Sequence, residues 1–230
     1  MSEINSYGYL DMVRSDILRM IPADGSVIGT VGCGRAATEA VLVDQGRSVH
    51  GVDVSHEAIE TASKRLTTAR VVRPDDELPF EPLSLDGLIL ADVIEHLPMA
   101  WERLQQLTRA VRPGGWVVIS VPNMRSIDVL FQLVVRGDWP EHPLGIFDST
   151  HLQVMTHKRV LRWASAAGLT LDEWFDSYDY RFVRRNVHRA LNPATGRLLR
   201  GFLNFEVQGR FRRSTGGVGA SSVPARPVHA

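Results

Sequence analysis

Apolar residues recur along this chain with two different periods, and each period predicts a different element. Short, nearly continuous apolar runs predict β-strands, because strands covered on both faces of a parallel sheet need apolar side chains on both sides. Apolar residues three or four positions apart predict amphipathic helices. The strands predicted from these runs are residues 26–31, 48–52, 70–73, 87–91 and 116–121.

Helical patterns lie before and between these strands. They cover residues 6–21 and 35–45, a segment that follows Ser55, and a segment that carries Trp101, Leu104 and Leu107. Asp92 and Glu95 have the spacing of a capping box, so they are predicted to begin the last of these helices. Strands that alternate with helices pair in parallel through right-handed crossovers. The pattern therefore predicts an α/β fold.

The C-terminal third departs from this alternation. Residues 126–136 and 157–167 are predicted helices, and residues 169–176 form a predicted strand. Residues 205–211 alternate like an exposed edge strand. Residues 214–230 are rich in Gly, Ser, Ala and Pro, which predicts a disordered tail.

Composition narrows the class of protein. A chain of 230 residues can bury one sizeable core, and its 26 basic and 26 acidic residues cancel. This balance argues against binding to nucleic acid or to an anionic membrane. The single cysteine, Cys33, excludes an internal disulfide and predicts no metal site. No apolar run is long enough for a membrane span, so we expect a cytoplasmic protein.

The neutral total conceals a segregation of charge. Residues 1–180 carry 16 basic and 25 acidic residues, whereas residues 181–213 carry nine Arg against Glu206 alone. The simple interpretation is a solvated face that complements the acidic body. The alternative is that the Arg-rich residues 181–213 form an interface for an anionic substrate or a partner.

A glycine turn follows the first predicted strand and leads directly into a helix. Gly32 and Gly34 let the backbone turn sharply and approach a ligand, and the first amide groups of the helix favour negative charge. Asp53 ends the neighbouring strand, where its carboxylate can accept hydrogen bonds from both hydroxyls of a ribose. This arrangement predicts a nucleotide site, and because Ala37 also completes a GxGxxA pattern, it does not choose between a dinucleotide and another nucleoside cofactor.

Three downstream segments resolve that choice by resemblance. Residues 91–97, with sequence ADVIEHL, residues 107–115, with sequence LTRAVRPGG, and Leu78-Pro79-Phe80 resemble the class I S-adenosylmethionine-dependent methyltransferases. Residues 148–156, from Asp148 to Thr156, are similar to the acceptor side of the small-molecule branch. The resemblance covers about residues 10–175.

The resemblance implies a Rossmann-like, doubly wound sheet of seven strands with helices on both faces. Most strands would be parallel, and residues 205–211 would form an antiparallel last strand beside the fifth. One domain would span residues 1–213, with acceptor or lid insertions at about residues 124–156 and 178–204. The cofactor S-adenosyl-L-methionine would contact Gly32, Cys33, Gly34, Asp53, Val54, Asp75 or Asp76, Leu90 and Ala91.

The chain departs from the family pattern in its first strand. Thr30 stands where an acidic residue is usual, and Gly29 where a branched apolar residue is usual. Ala36 replaces the third glycine of the turn, a mild change if its backbone is helical. Thr30 removes a carboxylate that would help to hold the amino group of the cofactor. These departures predict weaker cofactor binding or a different use of the pocket.

The chemistry implied by the resemblance is methyl transfer to a small-molecule acceptor, at oxygen in the first instance. Because a hydroxyl acceptor also loses a proton, we expect a histidine as general base. His151 is the first candidate and His96 the second, followed by His142 and Asp148. The alternatives are a cyclisation or rearrangement without methyl transfer, and a non-catalytic partner subunit. Monomer and homodimer both stay open.

Overall fold

The computed structural model describes residues 11–74, 76, 79–177 and 200–215, and its centre is a seven-stranded sheet. The strand order is β3-β2-β1-β4-β5-β7-β6. The first five strands are parallel, and β7 runs antiparallel to both β5 and β6. The strands are β1 (Val27–Val31), β2 (Ser48–Asp53), β3 (Thr68–Val71), β4 (Leu85–Ala91), β5 (Val111–Pro122), β6 (Leu169–Phe175) and β7 (Glu206–Arg213).

Helices connect the strands and cover both faces of the sheet. They are α1 (Ser15–Leu18), α2 (Ala37–Asp44), α3 (His56–Ala62), α4 (Ala100–Leu107), α5 (Ile127–Leu130), α6 (His157–Ala166) and α7 (Arg200–Leu203). Two short 3₁₀ segments, Ile94–His96 and Thr108–Ala110, flank α4, and α5 continues as a π-helix over Phe131–Arg136. No helix within the described ranges is long and apolar enough to span a bilayer.

Alternate residues of the central strands enter two different apolar clusters. Leu88 and Leu90 of β4 pack into the cluster that contains α4 and α6, whereas Ile89 packs into the cluster that contains α1, α2 and α3. Both faces of the central strands are therefore buried, as their continuous apolar runs predicted. The Rossmann-like fold with an antiparallel last strand is confirmed.

Two predictions about the strands are wrong in detail. The segment predicted as an exposed edge strand is β7, which lies between β5 and β6 and is hydrogen-bonded on both sides. The strand predicted at residues 116–121 begins earlier, since β5 starts at Val111 and its pairing with β4 passes from Leu85 opposite Val111 to Gly87 opposite Trp116. The edge pattern misled because Gly209 and Gln208 break the apolar run of a buried strand.

The predicted capping box is also wrong. Asp92 has a left-handed backbone with φ of 54°, and its carboxylate binds Arg14 instead of capping α4. Glu95 lies inside a 3₁₀ turn, and its side chain is fully buried. The predicted helices at residues 126–136 and 157–167 are confirmed, although the first changes to π-helical hydrogen bonding. Of the N-terminal helix predicted at residues 6–21, residues 11–21 are described, and the α-helical part of them is Ser15–Leu18 alone.

The other predictions on domain organisation fall mostly outside the described residues. Residues 178–199, which are not described, contain most of the second predicted insertion. Of the nine Arg in residues 181–213, six lie at or before residue 200. Residues 216–230 contain nearly all of the predicted tail. In β7, Arg210 and Arg212 pair with Asp172 and Asp24, so this described part of the Arg-rich segment complements acidic groups of the domain itself.

A close approach of β4 and β5 makes glycine necessary at position 87. A Cβ atom at Gly87 would lie 2.1 Å from Trp116 Cζ2, and Trp116 is itself fully buried with its indole N–H bonded to the Asp24 carbonyl. We expect Gly87→Ala to lower the free energy of unfolding by about 2 to 3 kcal/mol, because the ring cannot move without breaking that bond. Urea unfolding of Gly87→Ala beside Thr170→Ala, an exposed position on β6, measures the effect. Equal stability of the two variants would contradict this account.

Candidate active site

Two adjacent cavities lie at the carboxyl ends of β1, β2 and β4. The larger, of about 360 Å³, is lined by Gly32, Asp53 and Val54 together with residues of the 72–74 and 92–97 segments. The smaller, of about 150 Å³, is lined by Glu95, His151 and Glu206, among others. Asp92 and His96 line both cavities. The two cavities therefore meet at these two side chains, at the point where the strand order reverses between β1 and β4.

The glycine turn is held by hydrogen bonds to the neighbouring strand, β2. Gly32 and Cys33 donate their backbone N–H groups to the Val52 carbonyl at 2.8 and 3.1 Å. Gly32 has φ of 69°, and a Cβ atom there would lie 2.6 Å from Val93 Cγ2. Both the backbone conformation and the space thus require glycine beside the larger cavity.

Asp53 holds the same turn through its side chain. Its Oδ2 accepts a hydrogen bond from the Gly34 N–H at 2.8 Å, and its Oδ1 accepts one from the Ser55 N–H at 2.9 Å. Asp53 also lines the larger cavity. The residue predicted to bind a ribose is therefore a structural clamp of the glycine turn as well.

Of the other residues predicted to contact the cofactor, Val54 alone among the described ones lines the larger cavity besides Gly32 and Asp53. Val54 is exposed and lines the larger cavity, whereas Cys33 and Leu90 are buried outside its lining. Burial raises the pKa of the Cys33 thiol, which suits a packed side chain and not a nucleophile. Gly34, Asp76 and Ala91 do not line the cavity either, and Asp75 lies outside the described residues.

Thr30, which stands where an acidic residue is usual in the family, has the carboxyl group of Glu39 beside it. Thr30 Oγ1 donates a hydrogen bond of 2.9 Å to Glu39 Oε1 of α2, and both side chains are buried. Burial raises the pKa of Glu39 to about 7. The sequence analysis missed Glu39 because it lies on a helix, nine residues from Thr30, among small apolar residues.

The condition for a mild change at Ala36, a helical backbone, is not met. Ala36 has φ of 57°, in the left-handed region, and precedes α2. The chain therefore keeps the backbone conformation of a glycine at this position without the glycine.

Arg14 joins three acidic side chains next to the junction of the cavities. Its guanidinium lies 2.6 Å from Asp92 Oδ2, 2.7 Å from Asp16 Oδ2 and 3.0 Å from Glu206 Oε2. Burial and the neighbouring Asp92 raise the pKa of Glu206 to about 7. Glu206 Oε2 also accepts hydrogen bonds from Ser120 and Gln208. Sequence reasoning missed Arg14, although Glu206 stood out as the single acid of the Arg-rich segment.

The two predicted histidines come together on one side of the smaller cavity. The ring centroids of His96 and His151 are 4.8 Å apart, and His151 Nε2 lies 4.0 Å from Glu95 Oε1. Both carboxylate oxygens of Glu95 are buried without a hydrogen-bond partner, and burial raises the pKa of Glu95 well above its usual range. Burial also lowers the pKa of His151, assisted by His96. Among the described residues, Glu95, His96 and His151 form a group whose ligand-type atoms lie within 4.8 Å of one another.

His142 and Asp148, the remaining candidates, lie on the first insertion. Asp148 lines the smaller cavity. His142 does not line it, and its ring packs against Phe147 at a centroid distance of 6.2 Å. The structure therefore brings His96, His151 and Asp148 to one cavity and leaves His142 outside it.

Comparison with known proteins adds a family to this geometry. Residues 30–119 match the model of a family described as "Methyltransferase domain", and they include the end of β1, the glycine turn and all of β2, β3 and β4. Over these residues the chain is similar to a methyltransferase domain. All residues that line the larger cavity lie within this match, whereas the smaller cavity is lined mostly by residues beyond it.

Curated relatives and solved structures give further similarities. A protein from Thiobacillus denitrificans named "Ubiquinone biosynthesis O-methyltransferase" is 27% identical over 158 residues, which cover 66% of this chain and 68% of the relative. A complex of the Trm112 methyltransferase activator with a methyltransferase from Haloferax volcanii gives a TM-score of 0.62 at 17% identity, with 86% of each chain covered. An S-adenosylmethionine-dependent methyltransferase from Mesorhizobium loti gives a TM-score of 0.59 at 15% identity, covering 86% of this chain and 96% of that one. These structural likenesses concern the fold.

The double role of Asp53 leads to a prediction for cofactor binding. Asp53→Asn keeps the shape of the side chain but replaces one accepting oxygen by a donor, so either the Gly34 or the Ser55 N–H loses its partner. We expect the affinity for S-adenosylhomocysteine to fall about 10- to 100-fold and the free energy of unfolding to fall by about 1 to 2 kcal/mol. Isothermal titration and urea unfolding measure the two effects. Glu60→Gln, on the exposed side of α3, is the control, and an unchanged affinity in folded Asp53→Asn would remove Asp53 from the site.

The raised pKa of Glu39 predicts a pH dependence of stability. The folded state holds the Glu39 proton more tightly than the unfolded state. The contribution of Glu39 to the free energy of unfolding is therefore greatest at low pH and is lost as pH rises through about 7. Between about pH 5.5 and pH 8, the wild type should lose about 2 kcal/mol relative to Glu39→Gln, whose side chain does not ionise. Denaturant unfolding of both proteins at several pH values measures this difference. A difference that does not change with pH would show that Glu39 ionises normally in the folded protein.

Proposed function

We propose that this methyltransferase transfers the methyl group of S-adenosylmethionine to the oxygen of a phenolic hydroxyl on a small molecule. The observation that carries the proposal is the junction of the two cavities at Asp92 and His96. The larger cavity, with its glycine turn and Asp53, suits the cofactor. The smaller cavity, with its two histidines, suits an acceptor that must lose a proton.

The size of the smaller cavity favours an aromatic acceptor. A cavity of about 150 Å³ is large enough for one benzene ring. Ordinary phenols have a pKa of about 10, far below that of water at about 16, so an imidazole can take a phenolic proton much more readily than an alcoholic one. The name of the curated relatives, ubiquinone biosynthesis O-methyltransferase, supports oxygen as the accepting atom.

The reaction asks the protein chiefly for positioning. The sulfonium of the bound cofactor makes its methyl group electrophilic, so the acceptor oxygen must be held in line with the methyl carbon and the sulfur. As the oxygen forms its bond to carbon and the sulfur leaves as a neutral thioether, the hydroxyl proton passes to an imidazole. The Asp92 side chain, fixed by Arg14, holds the backbone between the two cavities in one conformation.

We assign the proton to His96 before His151, the reverse of the order expected from the sequence. His96 lines both cavities, whereas His151 lines the smaller one alone. A base that borders both cavities lies next to the position where the acceptor oxygen meets the methyl group. Burial and the neighbouring His96 lower the pKa of His151, which favours a neutral ring that shapes the acceptor cavity.

We also infer that the protein is a metabolic enzyme of the cytoplasm and that it acts without a nucleic-acid partner. The near balance of charge over the whole chain and the single buried thiol support it. An interface on residues 181–213 stays a prediction, since most of that segment lies outside the described residues.

The test begins with product mass. The protein is incubated with S-adenosylmethionine and a panel of phenols and catechols, and addition of one CH₂ unit to an acceptor, with formation of S-adenosylhomocysteine, supports the proposal. A product of unchanged mass would favour the rearrangement alternative. Failure to bind S-adenosylhomocysteine at millimolar concentration would remove the basis of both.

Removal of the base should then slow the chemical step selectively. We expect His96→Ala to lower turnover by roughly 100- to 10,000-fold while the affinity for S-adenosylhomocysteine hardly changes, because proton transfer belongs to that step. Alkaline pH should restore part of the activity, since the phenol then ionises without help. Turnover, titration calorimetry and a pH profile measure this, with His56→Ala on the exposed end of α3 as the control. If His151→Ala causes the larger loss with alkaline recovery, the base is His151.

A further inference from the structure

A short relay of hydrogen bonds connects the first insertion to His96. Thr150 Oγ1 lies 2.6 Å from Asp148 Oδ1 and 2.9 Å from His96 Nδ1. The Thr150 N–H also donates to Asp148 Oδ1 at 2.8 Å. The three side chains come from two separate parts of the chain, the 3₁₀ turn at Ile94–His96 and the insertion that follows β5. We call this arrangement the Thr150 relay.

The chemistry of the partners fixes where the protons lie in the relay. A carboxylate can only accept, so the Thr150 hydroxyl donates to Asp148 and its oxygen is left to accept from His96 Nδ1–H. The backbone carbonyl of Thr150 lies 3.3 Å from the same nitrogen, and it too can only accept. Two acceptors therefore face Nδ1, and the neutral His96 ring carries its proton on Nδ1 and its lone pair on Nε2.

His151 has no side-chain relay of this kind. Its Nδ1 is buried without a well-formed hydrogen bond, its Nε2 lies 4.0 Å from Glu95 Oε1, and the Ile146 backbone is the polar group that favours its charged form. The two rings are in contact, so a positive charge on one disfavours a charge on the other. Of the two rings, His96 is the one whose Nδ1 lies within hydrogen-bond distance of both a hydroxyl and a carbonyl oxygen.

We infer that Thr150 and Asp148 are positioning residues, which hold His96 as the Nδ1–H tautomer so that Nε2 takes the acceptor proton. This inference rests on the proposed function. The hydroxyl proton moves to Nε2 while the acceptor oxygen forms its bond to the methyl carbon and the carbon–sulfur bond breaks. The resulting imidazolium donates through Thr150 towards the negative charge of Asp148, and it returns its Nε2 proton to water after the methylated product leaves.

The relay can be tested without any acceptor. In protein labelled with ¹⁵N at histidine and saturated with S-adenosylhomocysteine, the ring nitrogen shifts of His96 report the tautomer, and His96→Ala identifies its signals. We expect wild type and Thr150→Ser, which keeps the hydroxyl, to show Nδ1–H. Thr150→Val has a similar shape but no hydroxyl, so it should show a mixture of tautomers. A wild-type His96 protonated at Nε2 would overturn the inference, whatever the enzyme methylates.

Turnover with a phenol found in the mass assay supplies the second readout. We expect Thr150→Val and Asp148→Asn to lower kcat about tenfold, with KM and the affinity for S-adenosylhomocysteine changed by less than about threefold. Thr150→Ser should recover most of kcat. Thr170→Val, an exposed site on β6, is the matched control. An unchanged kcat in Thr150→Val, or a change confined to KM, would overturn the positioning role even if methyl transfer itself is confirmed.

Discussion

The buried guanidinium of Arg14 is the interaction on which the arrangement of the site depends. One cation binds Asp16 in α1, Asp92 directly after β4 and Glu206 at the start of β7. Loss of one partner of such a buried cluster costs about 3 to 5 kcal/mol, because the remaining charges stay buried without compensation. Three segments distant in sequence are therefore fixed to one another at the boundary between the two cavities.

The fold places these charged residues at the edge of the sheet where the two cavities lie. Parallel strands place their carboxyl ends at one edge of the sheet, and the reversal of order between β1 and β4 opens a crevice there. Asp92 lies in that crevice with a left-handed backbone, a conformation that a tight network of contacts must hold. The antiparallel β7, inserted beside β5, adds Glu206 to the wall of the smaller cavity. The two cavities thus share one border, at Asp92 and His96.

Much of this could be predicted from local pattern. Apolar runs located the central strands, the glycines located the turn, and the position of Asp53 at a strand end placed it beside the larger cavity, because each of these signals acts within a few residues. The contacts of Arg14 could not be predicted in this way, since its partners Asp92 and Glu206 lie 78 and 192 positions away. The hydrogen bond between Thr150 and His96 could not be predicted either, since these two residues lie 54 positions apart.

Two misreadings have a common physical cause. The spacing of Asp92 and Glu95 fits a capping box, but a carboxylate binds a buried guanidinium more strongly than it binds a backbone N–H, so tertiary contacts prevailed. At Thr30 the missing acid was inferred from the strand alone, whereas Glu39 reaches the same place from the next helix. In both cases the local pattern identified the right position and the wrong partner.

A crystal structure with S-adenosylhomocysteine and a phenol bound is the most direct test of the claim that the two cavities form one reaction site. The account predicts adenosine over Asp53, the sulfur at the border formed by Asp92 and His96, and the phenolic oxygen in the smaller cavity within hydrogen-bond reach of His96 Nε2. A sulfur atom that points away from the smaller cavity, or a phenol bound elsewhere, would contradict it.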